Sequence, residues 1–166
     1  MMQRPRPSRF NAAEDAWLPL QRGDRSTIAS LSEALTHAHE YDGIATDQPL
    51  ATAALTRHVL LPIVLLTHDL HSPEDFRRLW DAGQFDAARV RRYLAENLER
   101  FEVFHPETPF LQVAGLTPAS GEPKGASGLM LQVASGYNVP LFSALTEDYA
   151  TVLSIPEALV HLVTLL

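Results

Sequence analysis

The fold class this sequence predicts is α+β: a mainly helical domain with small antiparallel β-sheets. Three observations carry it. Helix-start signals recur: serine at capping-box distance from an acid at Ser30/Glu33 and Ser154/Glu157, and an N-cap serine followed by proline and acids at Ser72-Pro73-Glu74-Asp75. A turn signal, Arg22-Gly23-Asp24, separates two short apolar stretches as in a hairpin. The chain has 166 residues, 46% of them hydrophobic, which suffices for one domain with a real core. Residues 1–166 are therefore read as a single domain.

Taken in order, Met1 to Arg9 is a loose basic arm. Arg4, Arg6 and Arg9 alternate with Pro5 and Pro7, which favours an extended, solvated backbone. No apolar segment follows these arginines, so no signal peptide is expected. Phe10-Asn11 and Ala16 to Leu20 are strand material, and the hairpin returns through Thr27. The Arg-Gly-Asp tripeptide is its turn.

Ser30 and Glu33 open the first helix, with Leu31, Ala34 and Leu35 facing inward. It decays through His37, His39 and Glu40 to Gly43. Asp47 is the expected N-cap of the second helix, which starts at Pro49. Leu50, Ala54, Leu55, Val59, Ile63 and Leu66 recur at helical spacing, and Val59–Leu66 is apolar nearly all round, so this helix is central. Pro62 should kink it by clashing with the carbonyl of His58. The apolar run itself is too short to span a bilayer.

Ser72-Pro73-Glu74-Asp75 places a serine N-cap, a proline at N1 and acids in the first turn of a third helix ending near Gly83. A fourth is predicted from about Phe85 to Phe101. Val90, Tyr93, Leu94, Leu98 and Phe101 face inward, and Arg92, Glu96 and Arg100 form solvated pairs outside. Phe104-His105-Pro106-Glu107-Thr108-Pro109-Phe110-Leu111-Gln112 then makes a sharp corner. Two prolines stop the helix, while Phe101, Phe104, Phe110 and Leu111 demand burial. Val113–Ser127, holding Gly115, Pro118, Gly121, Pro123 and Gly125, is an exposed loop. Ala134–Phe142 sets large apolar side chains on a loop-like backbone, a functional combination. Ser154 and Glu157 cap a last, nearly all-apolar helix. It stops in mid-run at Leu166 without a C-cap, as in a chain truncated at its carboxyl end.

The net charge is −7 and there is no cysteine. The first observation removes the basic balance of a self-sufficient nucleic-acid binder, so any nucleic-acid contact is local or shared with more basic partners. The second excludes disulfides, thiolate metal sites and cysteine nucleophiles, and fits a reducing compartment. No metal site is expected from His37, His39, Glu40, His68 and His71, because positions two apart on a helix do not face one another. There is no Gly-x-Ser-x-Gly elbow, Walker loop or Gly-x-Gly-x-x-Gly. The sequence therefore supports neither an enzyme nor a bound cofactor. Around Ser135–Ser143 two readings stand side by side: a loop packed on the core through Tyr137, Leu141 and Phe142, or an apolar wedge presented to a partner, as in proteins that open or kink a duplex.

Four stretches resemble one family in order. Phe10-Asn11 through Trp17-Leu18-Pro19-Leu20 is similar to its opening segment, and Leu31-Ser32-Glu33-Ala34-Leu35 to its first helix. Arg100-Phe101, His105-Pro106 and Pro109-Phe110-Leu111-Gln112 are similar to its "R-F…L-F-H-P-…-P-F-L-Q" corner, the most specific match. Ser135-Gly136, Asn138 and Leu141-Phe142 are similar to its "S-G-x-N-x-x-L-F" segment. The family is CasA, the large subunit of the type I-E CRISPR surveillance complex Cascade. The resemblance implies the amino-terminal domain of a CasA-like subunit, and a cytoplasmic role in antiviral defence by binding, without chemistry of its own. It implies partnership with other Cascade subunits, CRISPR guide RNA, target double-stranded DNA and a helicase–nuclease, and none with a membrane. In such complexes base pairing reads the target while protein reads a short flanking motif. Matching positions assign that contact to Asn138, Leu141, Phe142 and Ser143. The family's downstream glycine-rich loop and lysine fall outside this sequence. The rival reading is a helical protein-interaction domain without nucleic acid.

Overall fold

The computed structural model describes residues 9–119, 121, 125–131, 133 and 152–166. Strand β1 (Leu18–Arg22) and strand β2 (Arg25–Ala29) form the expected hairpin, paired from Leu18↔Ala29 to Arg22↔Arg25. Gly23 supplies the positive φ, 57°, that a two-residue hairpin loop requires of a central residue. A third strand, β3 (Gly43–Ile44), pairs antiparallel with the other edge of β1 at Leu20↔Ile44, giving the order β2-β1-β3. Two residues carry no periodicity, so the sequence read this stretch only as a helix decaying into a turn. Leu18 and Leu20 point into the core from β1.

Helix α1 (Leu31–Thr36) is capped by Ser30, whose hydroxyl accepts from the Glu33 N–H at 3.1 Å. Only this half of the expected reciprocal box forms. The second helix starts at α2 (Pro49–Ala54), and its N-cap is Gln48, one residue after the expected Asp47. Pro49 fixes the N1 position, which makes its immediate neighbour the cap. The helix then widens into a π-helical stretch, Leu55–Leu60, and resumes as α3 (Leu61–His68). This is how Pro62 is accommodated. With the Leu61 N–H bonded to the Thr56 carbonyl, the turn before the proline is opened. The result is one helix of 20 residues, Pro49–His68, long and apolar enough by length and composition to cross a membrane. That length exceeds the Val59–Leu66 run on which the sequence reading rested. Here Ala51, Leu55, Val59, Ile63 and Val64 are buried in the core.

Helix α4 (Pro73–Ala82) has the full capping box of Ser72 and Asp75 and ends at Gly83, φ 67°. Helix α5 (Ala87–Glu96) starts later than predicted. The Asp86 carboxylate accepts from the N–H groups of Ala88 and Arg89 and so sets the first turn. It also stops earlier, at Asn97, and passes into a 3₁₀ turn, Leu98–Phe101. Val90, Leu94 and Phe101 are buried as expected. Arg92, Glu96 and Arg100 are exposed but form no ion pair with one another. Their long side chains gain too little from pairing in water to be held together. A 3₁₀ turn, Ala126–Leu129, packs on α6 (Ile155–Thr164), which Ser154 and Glu157 cap reciprocally.

The core joins one side of the sheet to the helices. Trp17, Leu18, Leu31, Leu55, Val90, Leu159 and Val163 are the largest fully buried side chains among the described residues. Helices α1 and α3 pack on α5, and α2 on α6. His68 ties α3 to α5: its Nε2 accepts from the Asp86 N–H at 2.9 Å, and its ring lies 5.5 Å from that of Phe85.

The capping carboxylates make stability depend on pH. Hydrogen bonds from the Ser72 and Ser154 hydroxyls hold the carboxyls of Asp75 and Glu157 below their usual range. A carboxylate depressed in the folded state stabilises fully above its unfolded pKa, about 4, and loses that contribution as the pH falls through the depressed value. The double variant Asp75→Asn, Glu157→Gln should melt lower than the parent at pH 6. The gap should be narrower at about pH 3 than at pH 6, since the contribution starts to fall once the pH drops below the unfolded value. A gap of equal size at both pH values would show that the charge of these caps is irrelevant.

Candidate partner-contact site

The corner after α5 is held by the amino-terminal segment. Asn11 pairs with Glu102 in an isolated antiparallel bridge. The Ala12 N–H donates to the Phe101 carbonyl at 2.8 Å, and the Val103 N–H to the Phe10 carbonyl at 2.9 Å. Asn11, 2% exposed, donates from Nδ2 to the Leu98 carbonyl and accepts at Oδ1 from the Ala13 N–H. The Glu102 carboxylate accepts from the Phe10 N–H at 3.1 Å and from Arg9 Nε at 3.0 Å. Arg9, expected on a loose arm, is therefore tied down.

Inside the corner, Phe110 sits between two rings. Its centroid lies 5.5 Å from Phe101 and 6.3 Å from Trp17, the latter edge-on at 73°. Outside, His105 organises the turn. Its Nδ1 accepts from the N–H groups of Glu107 and Thr108, at 3.2 and 2.9 Å. Gln112 Nε2 donates to the carbonyls of Val103 and Phe110, and Leu111 takes a φ of 54°. The expected packing centre is present with one correction: Phe104 is 43% exposed. It turns outward because Phe101, at the end of the 3₁₀ turn, and Val103, just past it, take the inward positions. With Arg9, Glu99 and Pro106 it edges a shallow hollow of about 440 Å³.

Asn138, Leu141, Phe142 and Ser143 lie outside the described residues. The chain leading toward them is exposed at Val113 and Leu116, as expected of a loop. It then passes through the 3₁₀ turn Ala126–Leu129, anchored by buried Ser127 against α6. Among the described residues no three His, Asp or Glu side chains converge as a metal site would require. His37 instead contacts Thr36 and its own helix end, and His68 the α5 cap.

With this geometry in place, similarity to known proteins is decisive. The family model of CRISPR-associated protein Cse1 matches residues 11–166, starting at the buried Asn11. The chain belongs to the Cse1 family. It is 38% identical over 140 residues to the CRISPR-associated protein CasA/Cse1 of Thermus thermophilus, covering 84% of this chain and 28% of that one. Its fold is similar to Cse1 from Acidimicrobium ferrooxidans, with a TM-score of 0.78 and 28% identity over 96% of this chain and 29% of that one. It is also similar to a chain of a CRISPR RNA-guided surveillance complex, with a TM-score of 0.77 and 24% identity over 95% and 34% of the two chains. The chain thus spans about a third, or less, of the length of these Cse1-type proteins. The stretch from Arg100 to Gln112, which resembled CasA in sequence, is this aromatic, histidine-turned corner.

Removing the ring of Phe110 empties a site lined by Trp17 and Phe101. Phe110→Ala should cost about 3–5 kcal/mol in urea unfolding, against about 1 kcal/mol or less for Phe104→Ala. Similar losses for the two would place the anchor of the corner elsewhere.

Proposed function

We propose that this Cse1-family chain is the amino-terminal domain, residues 1–166, of a CasA-like subunit that works in an RNA-guided surveillance complex of CRISPR defence. The observation that carries this reading is the family match over residues 11–166, supported by the likeness to a chain of a surveillance complex. The role is binding and not catalysis. The partners are other Cascade subunits, the CRISPR guide RNA held among them, target double-stranded DNA and a helicase–nuclease recruited to it. The compartment is the cytoplasm. One face of the Pro49–His68 helix, carrying Ala51, Leu55, Val59, Ile63 and Val64, lies in the core, which supports reading it as a core helix.

Asn138, Leu141, Phe142 and Ser143 are the residues proposed to meet the flanking motif or a neighbouring subunit. A phenylalanine and a leucine beside two short polar side chains suit a wedge at a duplex edge. The rest of the chain supplies little electrostatic affinity. At net charge −7, phosphate contact has to be supplied chiefly by more basic partners and by the complex as a whole.

Two outcomes are expected. The isolated chain should bind duplex DNA no better than about 10⁻⁴ M at physiological salt, the weak end of non-specific binding. Submicromolar binding would contradict the claim that affinity is borrowed. In the complex reconstituted with guide RNA, Phe142→Ala should leave the subunit's melting curve nearly unchanged and weaken target binding by about 1–3 kcal/mol. Asn138→Ala should do less, about 0.5–1.5 kcal/mol. A Phe142→Ala subunit that melts early yet binds target normally once folded would return this loop to a packing role. Failure of the chain to co-purify with Cascade subunits and guide RNA would remove the proposal itself.

A further inference from the structure

Helix α4 is loosely anchored. Its capping box and its glycine end hold it as a helix, yet none of its residues is buried. Leu79 packs half-buried against the core, with Leu70 before the helix and Phe85 after it. Among the described residues, the hydrogen bonds of residues 70–85 stay within that segment. The position of α4 therefore rests on Leu79 and on the two connections that lead into and out of the helix.

One bond closes those connections on each other. His68, in the last turn of α3, accepts at Nε2 from the Asp86 N–H at 2.9 Å, across the base of the α4 segment. A backbone N–H only donates, so Nε2 carries no proton. The one ring proton is then on Nδ1, which lies 2.8 Å from Thr67 Oγ1 and 3.2 Å from the Val64 carbonyl. The Thr67 hydroxyl gives its own proton to the Ile63 carbonyl at 2.8 Å, which leaves its oxygen free to accept. Both ring nitrogens are thus committed, and the ring lies tilted against Phe85, 5.5 Å between centroids.

A second proton on the ring has one place to go. It sits on Nε2 and sets an N–H against the Asp86 N–H. The charged groups around the ring then decide where it turns. Helix α5 offers the Asp86 carboxylate, with Arg89 and Arg91 on the same groove. Helix α4 offers Asp75 and Arg78, which are paired with each other. Asp69, which ends α3, is 3.9 Å from Arg89, and α1 lines the groove with uncharged Thr36. The N–H groups of Arg89 and Ala88 hold the Asp86 carboxyl below its usual range, and the charges of Arg89 and His68 add to this. A protonated ring therefore exchanges the backbone bond for the cap carboxylate beside it.

We propose that His68 is a proton-operated clasp at the base of α4. Neutral, it joins α3 to α5 and holds α4 in place; protonated, it lets α4 swing as an intact helix about Leu70 and Phe85. The helix survives the opening because its caps, Ser72 with Asp75 and Gly83, are its own. An imidazole changes charge between pH 5 and 8. The capping carboxyls of Asp75 and Glu157 are held below the usual carboxylate range, so they remain charged there and their effect on stability is separate.

The chain has no cysteine, so two introduced ones can carry spin labels alone. Asp81→Cys on α4 and Glu96→Cys on α5 are both at exposed positions. In the whole chain the distance between the labels should form one narrow distribution at pH 7.5. At pH 5.5 the share of a second, displaced distribution should rise about fivefold, the change in equilibrium that one net hydrogen bond governs. His68→Gln supplies an amide oxygen that accepts and does not titrate, so it should stay narrow at both pH values. His68→Leu has no acceptor and should show the displaced distribution already at pH 7.5. His58→Gln, at an exposed histidine of the π-helical stretch, should respond as the parent does. The proposal fails if the parent distribution is the same at both pH values, or if His68→Gln shifts as the parent does. It fails too if His68→Leu stays narrow at pH 7.5, if His58→Gln abolishes the response, or if circular dichroism shows parent and His68→Gln losing their helices together at pH 5.5.

Discussion

The structure depends on a clamp between two segments about ninety residues apart, Arg9–Ala13 and Leu98–Val103. A buried asparagine is its pivot. Asn11 is 2% exposed, so each of its polar groups would cost free energy if left unpaired. None is left so: Nδ2 reaches Leu98, Oδ1 takes the Ala13 N–H, and its own N–H goes to the Asp15 carboxylate. The backbone bonds on either side, to Phe101 and Val103, then fix where the corner runs. Trp17 is fastened to the same segment through its indole N–H on the Ala12 carbonyl at 2.9 Å. The Trp17–Phe110 and Phe101–Phe110 contacts follow from that placement, and the hairpin and the end of α5 are brought into one core.

The central helix shows a local conflict resolved locally. A proline inside a helix clashes with the carbonyl one turn back and removes a hydrogen bond. Here the preceding residues, Leu55–Leu60, shift to π-helical bonding, and the helix continues. Continuity matters to function because it spaces Leu55 and Val59, against α6, along one rod with Ile63 and Val64, against α5. The same rod leaves Leu61, 42% exposed, on its outer side.

The Ser135–Ser143 segment, proposed for the duplex, carries its wedge in sequence. In that proposal most phosphate contact falls, at net charge −7, to more basic partners in the complex.

The sequence by itself determined the helix starts at Ser30, Ser72 and Ser154, the hairpin turn, the α+β class and the family. These rest on local chemistry: a hydroxyl three residues from an N–H, a glycine able to take positive φ, prolines that end a helix. It also marked Phe110 as an anchor. What it did not determine are features whose partners are distant in the chain. The strand Gly43–Ile44 exists because β1 has a free edge. Phe104 is exposed because Phe101 and Val103 occupy the inward positions. Arg9 is ordered because Glu102 is there to receive it. The contact of Trp17 with Phe110 was illegible for the same reason: the two are far apart in the chain, and only the bridge between Asn11 and Glu102 brings their segments together.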